Sequence, residues 1–213
     1  MRILFHGDSI TDAGRVKENA AHLGRGYPHL IAASLGFDAP NQYQFINKGT
    51  NCNRIIDLYT HKDTEIIGPE PDVLSILIGV NDIWQHYAQT PNGTSPEEYF
   101  RLYDLLIAEV KAALPHIQIM ILEPFLLPGT DTGDAKIYPG FRKMVEEIAG
   151  QAKAIAEKYG LVFVPLQAGF DVLQETAGNG YWLTDGVHPA PTGHEFIKRR
   201  WLEAFRTIQL KKE

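Results

Sequence analysis

Hydrophobic positions along the chain fall into two alternating patterns. Short, nearly continuous apolar runs occur at Ile3–Phe5, Val73–Ile78, Ile117–Leu122 and Leu161–Leu166, most with Gly, Pro or Asp near their ends. Runs of that length, rich in Ile and Val and without alternation, predict strands buried on both faces. Tyr43–Asn47 is a weaker fifth. Between them lie longer segments with helical spacing. Ser95 before Pro96 predicts a capped start for a helix over Pro96–Leu114. Its Tyr99, Leu102, Tyr103, Leu106, Val110 and Ala113 form one apolar stripe. Phe141–Tyr159 behaves likewise and stops at Gly160, a C-cap residue. Tyr27–Leu35 and Asn53–Ile67 are shorter versions, and Thr192–Ile208 follows Pro191.

Strand and helix alternating to the end predict an α/β fold, a parallel sheet with helices on both faces. No Ser/Gly-rich linker, charge run or repeat divides the chain, so residues 1–213 read as a single domain. In such sheets a ligand binds beyond the carboxyl ends of the strands, near a topological switch point.

Composition narrows the field. Of 213 residues, 44% are apolar and 22% charged, enough for a substantial core. A single cysteine excludes an internal disulfide. The formal charge of −6, without a block of Lys or Arg, argues against nucleic-acid binding. No apolar run reaches the roughly 18 residues that cross a bilayer. The first residues carry no secretory pattern, so a cytoplasmic location is expected. The Lys198-Arg199-Arg200 cluster reads as a solvated helix face.

The strand ends hold the chemistry. Gly7-Asp8-Ser9 follows the first strand, Asn47-Lys48-Gly49 the second and Gly79-Val80-Asn81-Asp82 the third. Asp185-Gly186-Val187-His188-Pro189 follows the fifth strand and a short helix. A serine hydroxyl is a weak nucleophile until a base removes its proton, and imidazole has a suitable pKa. The base needs a partner on its second ring nitrogen. Asp185 and His188, three residues apart, can supply that pair. Candidate donors to an oxyanion are the amides of Ser9 and Gly49 and the side-chain NH₂ of Asn81. Gly49 would let backbone approach a reacting carbonyl closely. Each residue also has a plainer reading: Ser9 as helix cap, Gly49 and Gly79 as turn residues, Asn81 and Asp82 in Asx-turns, Asp185 at the start of an Asp-Gly turn. Four such loops in compatible order outweigh those readings.

These four blocks resemble the GDSL, or SGNH, hydrolases. The resemblance rests on Gly-Asp-Ser-Ile-Thr-Asp at 7–12, Asn-Lys-Gly at 47–49, Ile-Gly-Val-Asn-Asp at 78–82 and Asp-Gly-Val-His-Pro at 185–189. It implies a three-layer, flavodoxin-like α/β/α sandwich around a central five-stranded parallel sheet. It further implies Ser9 as nucleophile, Asp185 and His188 completing a triad, and Ser9, Gly49 and Asn81 as the oxyanion hole. It implies no metal and no organic cofactor. Many relatives carry a second glycine where this chain has Cys52, which is expected to change the entry into the following helix.

Residues 81–87, Gly26-Tyr27 and 47–58 are most similar to the acetyl-xylooligosaccharide esterases of this superfamily. That resemblance implies an acetylated oligosaccharide as substrate and assembly into a homo-oligomer. Asp8, Trp84 and Trp182 are the candidate substrate contacts, since an indole can stack on a sugar face. Either tryptophan could equally be packing. Two alternatives share the sequence: a lysophospholipase or thioesterase with an apolar trough at Phe125–Leu127, and a carbohydrate-binding protein without activity. Residues 125–140 are long for a connection and are expected to border the site. Their Asp131, Gly133 and Asp134 read as a polar turn rather than a calcium loop.

Overall fold

The computed structural model describes residues 1–87, 92–178 and 180–209. Five strands form one parallel sheet: β1 (Arg2–Gly7), β2 (Gln44–Asn47), β3 (Val73–Leu77), β4 (Gln118–Leu122) and β5 (Val162–Val164). Their spatial order is β2-β1-β3-β4-β5. The register sets Phe5 opposite Asn47 on one side of β1 and Gly7 opposite Leu77 on the other. The chain leaves β1 for one edge and returns to β3 on its other side. The switch point therefore lies between the carboxyl ends of β1 and β3.

Among the described residues, eight α-helices accompany the sheet: α1 (Ser9–Asp12), α2 (Tyr27–Asp38), α3 (Ile55–Lys62), α4 (Val80–Tyr87), α5 (Pro96–Ala113), α6 (Tyr138–Tyr159), α7 (Gln167–Ala177) and α8 (Pro191–Gln209). α3, α5 and α6 pack in series, with α4 against α6, while α2 packs against α8. Trp201 on α8 is fully buried and donates its Nε1–H to Ser75 Oγ on β3 at 3.0 Å, joining helix layer to sheet. The buried strand residues Ile3, Leu4, Phe5, Val73, Leu74 and Ile76 form the centre of the core. Each such side chain contributes roughly 1.5–3 kcal/mol over leaving it in water.

The differences from the sequence reading have local causes. β2 is an edge strand whose Gln44 is exposed and whose Phe45 and Ile46 are half-buried, so its apolar signal is diluted. β5 has three residues rather than six, because Pro165 cannot donate to a ladder and the Leu166 amide turns to Glu123 Oε2 instead. The predicted helix over Asn53–Ile67 starts at Ile55 and widens into a π-helical turn over Asp63–Ile67. That turn brings Glu65 Oε2 to 3.2 Å from Nε2 of the buried His6 on β1. The third polar block is the opening of α4, not a loop. Among the described residues, no helix is long and apolar enough to cross a membrane.

Candidate active site

The turn after β1 is built by a carboxylate. Asp8 is the N-cap of α1, and its Oδ1 accepts the Ile10 amide at 2.9 Å. Ser9 is thereby the first helical residue, where a backbone N–H has no intrahelical acceptor. Its amide has no partner among the described residues. Asp8 itself, a candidate substrate contact by sequence, is 1% exposed. Burial pushes its carboxyl up to about 7, against the Ile10 amide and the nearby His188. Its second oxygen, Oδ2, has no hydrogen-bond partner among the described residues.

Ser9, His188 and Asp185 stand in series. Ser9 Oγ lies 2.9 Å from His188 Nε2, and His188 Nδ1 lies 2.6 Å from Asp185 Oδ2. A carboxylate only accepts, so Nδ1 carries the proton and Nε2 is left to accept from the serine hydroxyl. Asp185 Oδ1 accepts the amides of Val187 at 2.8 Å and His188 at 2.7 Å, which orients the carboxylate within its own loop. Burial works to raise the Asp185 carboxyl. The His188 amide, its ring and the Val187 amide outweigh burial and hold it below the ordinary value. The loop is closed by the Thr184 amide and hydroxyl, both donating to the His188 carbonyl. Such a series can take a proton from a hydroxyl and return it to a leaving group.

The block at 47–49 is tied into the turn after β1. Asn47 is buried and saturated: Nδ2 donates to the carbonyls of Thr11 at 2.7 Å and Leu23 at 2.8 Å, while Oδ1 accepts the Gly49 amide at 2.9 Å. The Gly49 N–H is therefore already engaged within its own turn. A side chain at 49 would strike the backbone of Thr11 and Asp12. The glycine admits the α1 turn. Arg15 holds the same segment from outside, with Nε donating to the Gly49 carbonyl at 2.6 Å.

The open donor lies three residues further on. The Thr50 amide donates to the Gly7 carbonyl at 3.1 Å, and the Asn53 amide to Thr50 at 3.2 Å. Asn53 Nδ2 also reaches the Gly7 carbonyl, at 3.3 Å. Cys52, inside this turn, is exposed with φ 64°, in the left-handed region that favours glycine. No described residue takes its amide. Asn81 Nδ2 donates to the Asn53 carbonyl at 3.1 Å, leaving the second hydrogen of that amide unengaged. Asp82, next to it, is fully buried and accepts the Ile55 amide at the start of α3. Asn47, Asn53 and Asp82 are the supports that sequence reasoning missed as such. Their residue types suit turns and caps, but their partners are distant in sequence.

The two tryptophans lie apart. Trp84, 38% exposed, leaves α4 and meets Phe141 edge-on at 5.4 Å between ring centroids. Trp182 lines a groove with Leu173, Pro191, Thr192 and Phe196, between α7 and α8. Phe125, Leu126 and Leu127 are buried in the core, so that segment forms no surface trough. In the polar turn after them, Asp134 Oδ1 accepts the Lys136 amide at 2.7 Å. The loop does border the site: the Asp131 amide donates to the Asp185 carbonyl at 3.1 Å.

Comparison with known proteins identifies the family. The GDSL-like Lipase/Acylhydrolase family matches residues 5–196. The acetylxylan esterase of Geobacillus stearothermophilus is 30% identical over 210 residues, spanning 94% of this chain and 92% of its own. Its crystal structure superposes with a TM-score of 0.84, covering 95% of this chain and 93% of that one at 29% identity. A GDSL-like lipase from Parabacteroides merdae is 36% identical, with a TM-score of 0.87 and coverage of 95% and 94%.

Proposed function

Because the chain belongs to the GDSL-like lipase/acylhydrolase family, and is with it a carboxylic ester hydrolase, we propose that it is a serine esterase releasing acetyl groups from carbohydrate hydroxyls. The observation that carries this reading is the unbroken series from Ser9 through His188 to Asp185, at 2.9 and 2.6 Å.

Ser9 Oγ attacks the ester carbonyl carbon while His188 Nε2 takes the hydroxyl proton. The C–O bond to the sugar then breaks, and His188 hands the proton to the departing alkoxide oxygen. Water repeats the sequence on the acyl-enzyme, releasing acetate and restoring Ser9. Asp185 keeps the proton on Nδ1 and stabilises the imidazolium. The developing oxyanion is held by the amide of Ser9, the amide of Cys52 and the side chain of Asn81. Cys52 replaces Gly49 in this role because its N–H is open and its turn hangs from the Gly7 carbonyl, beside Ser9.

The acetyl preference and the sugar are supported by likeness to the Geobacillus stearothermophilus enzyme, by the half-exposed indole of Trp84 after Asn81, and by the burial of Phe125–Leu127. A long acyl chain would need the trough that this segment does not provide. Ser9→Ala should abolish hydrolysis of p-nitrophenyl acetate, and retention of most activity would sink the assignment. A series of p-nitrophenyl esters of increasing chain length should favour acetate. Preference for long chains would move the chain to lysophospholipids or acyl thioesters.

A further inference from the structure

The loop between β4 and α6 is tied down at its root more heavily than a surface connection requires. Gln167 accepts the Leu126 amide at 2.8 Å and donates to the Leu126 carbonyl at 3.1 Å, pairing with it as a strand would. Arg142 donates to the same carbonyl at 3.1 Å while gripping both oxygens of Asp171 at 2.9 and 2.8 Å. Glu123 accepts the amides of Leu166 and Gln167 at 2.6 and 2.9 Å. Fork-shaped pairing of that kind fixes orientation as well as distance.

Beyond the root, the loop meets the backbone of the residues after β5. The Leu127 amide donates to the Gly186 carbonyl at 3.0 Å, and the Asp131 amide to the Asp185 carbonyl at 3.1 Å. Between these two bonds sits Thr132, 1% exposed. Its hydroxyl donates to the Leu127 carbonyl at 2.6 Å and lies 3.4 Å from the Asp185 carbonyl. Gly186, at φ 102°, has its missing side chain replaced by that hydroxyl: a Cβ there would collide with Thr132 Oγ1 and the Leu127 carbonyl. A Cβ on Gly129 would likewise strike the Asp185 backbone. Two backbones thus touch through two glycines, with one buried hydroxyl wedged between them.

We propose that Thr132 is a positioning residue for Asp185, its hydroxyl setting where the Asp185–Gly186 backbone rests on the β4–α6 loop and so where the carboxylate meets His188. This rests on the reading of Asp185 and His188 as the partner and base of Ser9. Asp185 and His188 share a turn anchored at Asp185 by its own carboxylate, so a displacement of the Asp185 backbone moves the 2.6 Å contact with the imidazole. Substrate binding does not involve Thr132, because the residue is closed from solvent.

The test compares Thr132→Val, Thr132→Ala and Thr132→Ser. Valine keeps the shape and loses the hydroxyl, alanine removes both without adding bulk, and serine keeps the hydroxyl. With p-nitrophenyl acetate, Val and Ala should lower kcat between about 10- and 100-fold, the scale of a small misplacement of a reacting group, and leave KM unchanged. Serine should recover most of the wild-type kcat. In the ligand-free proteins, the low-field proton resonance of the His188 Nδ1–H should move in Val and Ala and stay in place in Ser. Folded Val and Ala variants that keep the wild-type kcat and resonance, losing only thermal stability, would overturn the proposal. A serine variant as slow as alanine would overturn it equally. Failure of the underlying reading looks different: Ser9→Ala would retain activity, or the wild type would hydrolyse no ester, whatever Thr132 does to the resonance.

Discussion

The amide of Gly49 donates to the side-chain oxygen of Asn47, two residues before it, at 2.9 Å. That one bond engages the Gly49 amide in the framework of the turn. Asn47 uses its remaining hydrogens on the carbonyls of Thr11 and Leu23, tying β2 to both ends of the segment after Ser9. Asn47→Ala should therefore destabilise the fold by roughly 2–4 kcal/mol, since three net hydrogen bonds are lost and buried groups are left unpaired. Urea denaturation measures it. A loss of kcat with wild-type stability would return Gly49 to the oxyanion site.

Cys52 should be replaceable. Only its N–H is assigned a role, so Cys52→Ala and Cys52→Gly are expected to keep kcat on p-nitrophenyl acetate. Glycine should also raise stability by up to about 1 kcal/mol, because it adopts φ 64° without the strain a Cβ brings. Collapse of activity in both variants would mean that the thiol itself takes part.

Asn81→Ala should lower kcat on the order of 10²-fold, the scale of removing one oxyanion donor. KM should change little, because the interaction matters most when charge develops on the carbonyl oxygen. An effect confined to KM would place Asn81 in ground-state binding instead.

Asp82 gives the fold a readable pH signature. Burial pushes its carboxyl up to about 7 from an unfolded value of 3.8, against the hydrogen bonds from Thr94 and Ile55. The folded protein thus holds that proton more tightly than the unfolded chain. The stability this provides is complete below 3.8 and is lost as pH rises to about 7. His194 acts in the opposite sense. Burial lowers its ring to about 4 from 6.5, so its contribution is complete above 6.5 and is lost as pH falls toward 4. The two trends oppose each other across one window, and the difference between Asp82→Asn and the wild type separates them. The melting temperature of Asp82→Asn, relative to wild type, should climb between pH of about 4 and 7 and then level off. A difference that stays constant would exclude a buried titrating carboxyl at this position.

Strands β1, β3 and β4 were legible because both faces are buried, so nearly every residue had to be apolar. The site was legible wherever chemistry and local spacing coincide, as in Asp185 and His188, whose bond closes within one turn. What escaped depends on contacts far apart in sequence. Gly49 is needed for close approach in either reading, and nothing local says whether the approaching group is a substrate or the backbone of Asp12. α4 was hidden because Asn81 and Asp82, poor helix residues by themselves, face the β1 switch point and the start of α3. Thr132 left no signal at all, being one more polar residue in a polar turn.

The π-helical turn at Asp63–Ile67 makes chain length matter at one point of the fold. A helix that closes one turn with an extra residue tolerates an insertion without disturbing the segments on either side. Here the wide turn has Glu65 facing His6 while Ile66 is buried in the core. Deleting a residue just before Glu65 would return the segment to ordinary helix and rotate Glu65 by about 100°, carrying the carboxylate away from the imidazole. Length at this point, as well as residue type, holds the contact between Glu65 and His6 on β1.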